Sequence, residues 1–117
     1  MTGYLTTHVL DTARGCPAKG LTIELFRIVG ESRHLLKTLI TNSDGRTDEQ
    51  ILPTAEFEPG VYELIFHAGA YLSASDLSAE SPRFLDAIPI RFGMSKALHY
   101  HVPLLLSPFG YATYRGS

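Results

Sequence analysis

Five histidines stand in this 117-residue chain, and two of them, His99 and His101, are spaced i and i+2. On a β-strand that spacing sends both imidazoles to one face and Tyr100, Val102 and Leu104 to the other. An imidazole with an ordinary pKa of about 6.5 exchanges protons near neutral pH, which makes the pair a candidate for general acid–base work. The bland reading is a solvent-facing or cross-strand hydrogen-bonded pair, and a His-x-His is also a common half of a zinc site. The other half of such a site is hard to find: Cys16 is the only cysteine, and no Asp or Glu adjoins the pair.

Two further side chains carry the same kind of question. His8 shares a strand face with Thr6 and Leu10, opposite Leu5, Thr7 and Val9. A histidine in mid-strand is costly unless it is hydrogen-bonded or used, although a lone one is more often structural. Arg46 follows the Asp44-Gly45 turn directly, so its guanidinium starts from a fixed backbone point and could clamp a planar anionic group through two nitrogens. The plain alternative is a solvated arginine. The stretch from Pro103 to Ser117 stays strand-like almost to its last residue, where most termini fray. Either its aromatic residues seal the core as an edge strand, or Tyr114, Arg115, Gly116 and Ser117 have a task of their own.

The elements that must position these groups are short β-type segments separated by turn clusters, with no long stretch at helical period. Strands are expected over Tyr4 to Leu10, Leu21 to Ile28, His34 to Thr41, Val61 to Ala68, Ala87 to Phe92, Leu98 to Leu106 and Phe109 to Arg115, with Arg46 to Ile51 as a short edge strand. Asn42-Ser43-Asp44-Gly45 is a strong turn signal, because Asp-Gly accepts positive φ at low cost. Ala70 to Leu77 is the one place for a short helix, ended before Pro82. The pattern is that of an all-β sandwich or barrel.

Composition excludes several classes of function. The length suits a single domain over residues 1–117, with no room for a separate cofactor domain. Leu, Ile, Val and Phe make up about 28% of the chain, above the roughly 20% below which chains stay disordered. Ten basic against twelve acidic residues leave a formal charge of −2, with no Lys/Arg stripe to track phosphates, so nucleic acid is not an expected partner. One cysteine forms no internal disulfide, which makes a cytoplasmic setting the default. No apolar run approaches the 18 or so residues of a membrane span, and Met1 to Thr7 lacks the marks of a signal peptide. A domain this small buries a modest share of its surface alone, which favours an oligomer.

Three clusters together resemble one family: His8-Val9-Leu10-Asp11, then Asp44-Gly45-Arg46, and above all the run from His99-Tyr100-His101-Val102-Pro103 to Ser107-Pro108, closed by Tyr114-Arg115-Gly116-Ser117. The chain is similar to the 5-hydroxyisourate hydrolases, enzymes built on the transthyretin fold, essentially from end to end. The closing tetrapeptide separates these hydrolases from the hormone-binding transthyretins that share the fold. The resemblance implies a transthyretin-like, immunoglobulin-like sandwich of two four-stranded sheets with one short helix. It also implies a homotetramer whose central channel carries active sites shared between neighbouring subunits, working without a cofactor or metal.

Carried over residue by residue, the family's functional positions fall on His8, Arg46, His101, Tyr114 and Ser117, with His99 in a supporting role. The implied reaction is hydrolysis of 5-hydroxyisourate, a product of urate oxidation in purine degradation, to 2-oxo-4-hydroxy-4-carboxy-5-ureidoimidazoline. His101 is expected as the base that activates water, with His8 as its partner. Arg46 would bind the ring and Tyr114 contact it, while the Ser117 hydroxyl or terminal carboxylate orients a histidine or the water. The competing reading is a non-catalytic carrier of a small aromatic ligand on the same fold, which needs a mostly apolar pocket. A metal-dependent hydrolase using His99 and His101 as ligands ranks below both.

Overall fold

The first expected strand is divided in the computed structural model, which describes residues 3–75 and 81–116. Strand β1 runs Tyr4–Thr6 and β2 Val9–Asp11, followed by β3 Cys16–Pro17, β4 Thr22–Val29 and β5 Ser32–Ile40. A 3-10 turn at Thr54–Glu56 precedes β6 Gly60–His67, the helix α1 Ala68–Ser75, β7 Ala87–Met94, β8 His99–His101, β9 Leu104–Ser107 and β10 Gly110–Thr113. The strands form two four-stranded sheets, ordered β10-β9-β2-β3 and β5-β4-β6-β7, as expected. A two-stranded parallel pair, β1-β8, is added to them.

Period-2 alternation builds the interior. In the larger sheet Ile23 pairs with Phe66 and Phe66 with Ile88, while Leu25 pairs with Leu64 and Leu64 with Ile90. Apart from Ile90, which packs against it, these rows share one buried cluster with Val9, Leu104 and Leu106 of the other four-stranded sheet and Leu5 of β1. Each Leu, Ile or Phe buried in this way stabilises the fold by about 1.5–3 kcal/mol. Glu63 is buried on the outer face of β6, held at 3.1 Å by Arg33 of β5 and at 3.2 Å by Arg91 of β7. A buried carboxylate persists because a cation reaches it from each side, Arg91 from the neighbouring β7 and Arg33 across β4 from β5.

The division of the first strand and of the segment expected over Leu98 to Leu106 has one cause. Pro103 has no N–H to give a ladder, so the strand stops at His101 and resumes at Leu104. The facing residues Thr7 and His8 are bypassed with it. The backbone stays tied across the gap, with Val102 N–H donating to the Thr6 carbonyl and Leu104 N–H to the His8 carbonyl, both at 3.0 Å. The Thr7 hydroxyl also donates to the Val102 carbonyl at 2.7 Å.

Other expectations met different outcomes. Arg46 to Ile51 forms no strand, and only Leu52 makes an isolated bridge, to Leu5. Arg46 to Gln50 is polar, so pairing it to a sheet would bury no apolar face, and Ile51 at its end enters the core instead. The helix starts at Ala68 and packs Tyr71 and Leu72 inward. Asp76 and Leu77, the end of the helix expected from sequence, lie outside the described residues. No helix among the described residues is long and apolar enough to cross a membrane.

Candidate active site

The parallel pairing of β1 with β8 sets Tyr4 opposite His99 and Thr6 opposite His101. His99 and His101 share a half-buried face, while Tyr100 and Val102 point into the core, as their spacing predicts. The Thr6 Oγ1 lies 2.7 Å from His99 Nε2 and 2.8 Å from His101 Nδ1, so one hydroxyl joins the two rings. Tyr4 stacks flat on His99, with ring centroids 4.1 Å apart and planes 9° apart. His99 and His101 are therefore held by β1, whose residues are far away in sequence.

The chain end secures the other side of His101. The Gly116 N–H donates to the His101 carbonyl at 2.8 Å. A Cβ on Gly116 would fall 2.6 Å from His101 Cδ2, so only glycine lets the backbone pass this close to the ring. His101 Nε2 has no hydrogen-bond partner among the described residues. Among the described residues no buried side-chain nitrogen or oxygen is left unpaired, so this atom is not sealed in the interior.

Arg46 reaches the same place from the turn after β5. The Asn42 side-chain oxygen accepts from the Asp44 N–H at 2.9 Å and from the Arg46 N–H at 3.2 Å, closing the turn on itself. Gly45 has φ +76°, and a Cβ there would meet the Val9 carbonyl oxygen at 2.3 Å. The Val9 N–H donates to the Gly45 carbonyl at 2.8 Å and pins the turn to β2. The exposed Arg46 side chain makes no ion pair among the described residues.

Arg46, His99 and His101 thus line one open cleft of about 380 Å³, together with Thr6, Thr7 and the polar run Thr47 to Gln50. His8, half-buried, stands beside this cleft without lining it, yet close enough for its charge to act on His101. Burial holds the His101 imidazole below the ordinary histidine value, and the charges of Arg46, His99 and His8 push it the same way. A lowered value favours the neutral form of His101, with a basic lone pair, near neutral pH. Among the described residues no three His, Cys, Asp or Glu side chains come together to hold a metal ion.

Tyr114 is not brought to this cleft within the chain. It lines a separate hollow of about 280 Å³ with Arg115, Phe92 and Tyr100, where the Arg115 guanidinium lies 4.7 Å over the Tyr100 ring. Ser117 lies outside the described residues, one position beyond Gly116. Sequence reasoning passed over Thr6, although its i, i+2 relation to His8 marked it as sharing that residue's face. It also passed over the Thr47 to Gln50 run, taken for part of an edge strand.

A neutral imidazole with an open Nε2 can draw a proton from water, while a guanidinium a short way off can hold an electron-rich group and stabilise developing negative charge. Comparison with known proteins points the same way. Residues 5–116 match the family model described as the HIUase/Transthyretin family. The 5-hydroxyisourate hydrolase of Mesorhizobium japonicum is 60% identical over 98% of this chain and 93% of its own length. A solved (S)-allantoin synthase superposes with a TM-score of 0.90 at 43% identity, covering 99% of this chain, which spans only 44% of that one. The solved 5-hydroxyisourate hydrolase of Klebsiella pneumoniae superposes with a TM-score of 0.80 at 35% identity, covering 98% of this chain and all of that one.

Proposed function

Because this chain belongs to the HIUase/Transthyretin family and is a hydrolase, we propose that it hydrolyses 5-hydroxyisourate to 2-oxo-4-hydroxy-4-carboxy-5-ureidoimidazoline. The observation that carries this reading is the open Nε2 of His101, on a ring whose proton affinity is lowered and whose Nδ1 is occupied by Thr6. In the proposed step water adds its oxygen to the ring carbonyl carbon and gives its proton to His101 Nε2. The carbon–nitrogen bond then breaks, His101 returns the proton to the departing nitrogen, and the attacked carbon becomes the carboxyl group.

Arg46 binds the substrate ring and offsets the charge that develops on the attacked oxygen. His8 works beside His101, and His99 supports it. Tyr114 contacts substrate, and Ser117 orients a histidine or the water. The separation of Tyr114 from the histidine cleft within one chain supports sites completed between subunits of a homotetramer. The reading takes residues 1–117 as one transthyretin-like domain acting in the cytoplasm without a metal. One buried cluster spanning both layers supports the single domain.

The test generates 5-hydroxyisourate in situ from urate with a urate oxidase and follows its decay with chelator present throughout. Acceleration by this protein is the expected result. Folded protein that leaves the decay rate unchanged would overturn the reading and recast the cleft as a ligand site.

A further inference from the structure

We propose that Thr6 is a positioning residue that sets the proton pattern of the histidine pair, holding both His99 and His101 in the tautomer protonated on Nδ1. This rests on the reading of His101 as the base. A threonine hydroxyl has one proton and two lone pairs. With His99 Nε2 at 2.7 Å and His101 Nδ1 at 2.8 Å, it donates to one ring and accepts from the other. Two arrangements satisfy that rule for neutral rings.

In the first, Thr6 donates to His99 Nε2 and accepts from the N–H at His101 Nδ1. That leaves His101 Nε2 as a bare lone pair facing the cleft, and places the His99 proton on Nδ1. In the second, Thr6 donates to His101 Nδ1, so the His101 proton sits on Nε2 and the atom facing the cleft is no base. Arg46 lines that cleft, and its positive charge favours a lone pair over an N–H directed toward it. The first arrangement also needs no rearrangement when His101 takes a proton, because the bond from Nδ1 to Thr6 persists and gains charge assistance.

The hydroxyl is well fixed for this task. Threonine is branched at Cβ and stiff about χ1. Its carbonyl accepts from the Val102 N–H at 3.0 Å, and the Tyr4 stack sets the plane of His99. Thr6 touches neither water nor substrate in this scheme and acts through the rings.

The experiment is ¹⁵N-imidazole NMR of the full-length protein at a pH where both rings are neutral, on the parent and on Thr6→Val and Thr6→Ser. The expected parent spectrum shows both rings protonated on Nδ1. Thr6→Val should release His101 to the Nε2-protonated form and lower kcat about 10- to 100-fold with KM little changed. Thr6→Ser should restore both the spectrum and most of kcat. A parent His101 protonated on Nε2 would overturn the proposal even if Thr6→Val failed to fold, as would a Thr6→Val protein with the parent's tautomers. The spectrum needs no turnover, so an enzyme with the expected tautomers but an active His101→Ala variant would fault the assignment of the base and leave the Thr6 pattern standing.

Discussion

Two hollows of similar size face solvent on this chain, and they hold their histidines differently. The cleft over His101 measures about 380 Å³, and the one over Cys16, His67 and Tyr71 about 430 Å³. In the second, His67 Nε2 is tied to Glu24 at 2.8 Å, and the Tyr71 hydroxyl donates to Asp11 at 2.7 Å. Burial pushes the Tyr71 phenol up to about 12, and the bond to Asp11 adds to that, so the group keeps its proton at any working pH. In the first, the internal bonds of His101 occupy Nδ1 and leave Nε2 open, while its proton affinity is lowered. Size does not single out the hollow proposed as reactive. What selects it is a titratable atom held in place by one side of its ring and exposed by the other.

The sharpest way to break this contrast is His101→Ala. Loss of an acid–base group lowers kcat by about 10² to 10⁴ with the fold intact, as checked by circular dichroism and turnover of 5-hydroxyisourate. A variant with near-normal turnover would remove the distinction between the two hollows.

Arg46→Gln comes next, with a fall in kcat/KM of about 10- to 100-fold from loss of a charged contact to substrate. It also sharpens the electrostatic side of the comparison. A lowered His101 value means the neutral base survives to lower pH, so the acid limb of kcat/KM in the parent lies below about pH 6.5. Burial acts first on His101, then Arg46, His99 and His8, while Asp48 and Glu49 line the same cleft. With Arg46 neutral, the acid limb should move upward, toward the ordinary value. An unmoved limb would show that its charge does not reach His101.

In the second hollow, stability should respond in place of rate. Tyr71→Phe removes a donor from the buried Asp11 carboxylate and should lower unfolding stability by about 1–3 kcal/mol in urea titrations, with turnover within about twofold of the parent. His67→Gln is the smallest expected effect. The pair with Glu24 is partly exposed, so its loss should change stability by less than about 1 kcal/mol and leave turnover unaltered. A large loss of rate in either variant would mean that the second hollow takes part in the reaction.

Much of this site was legible before any coordinates. The i, i+2 spacing of His99 and His101 gave their common face, because strand periodicity is local, and Asp44-Gly45 marked the turn that launches Arg46 for the same reason. The alternation of Leu5, Thr7 and Val9 against Thr6, His8 and Leu10 was also legible, and burial follows it. Thr6 was not, since its role depends on β1 lying parallel to β8 in one register, a pairing across more than 90 residues. The Arg46 to Ile51 loop was misread because its geometry depends on where the turn is pinned, at Val9.

By itself the sequence determined an all-β class, the run of strands with one short helix, and the residue types able to move a proton or hold an anion. These follow from side-chain period, turn chemistry and intrinsic acidity, all properties of short segments. Only the tertiary structure decided which of those side chains meet, which ring nitrogen is left open, and that Tyr114 lies in a different hollow from His101. Those outcomes depend on strand register and on the order of strands in the sheets, and both are set by the packing of the whole core.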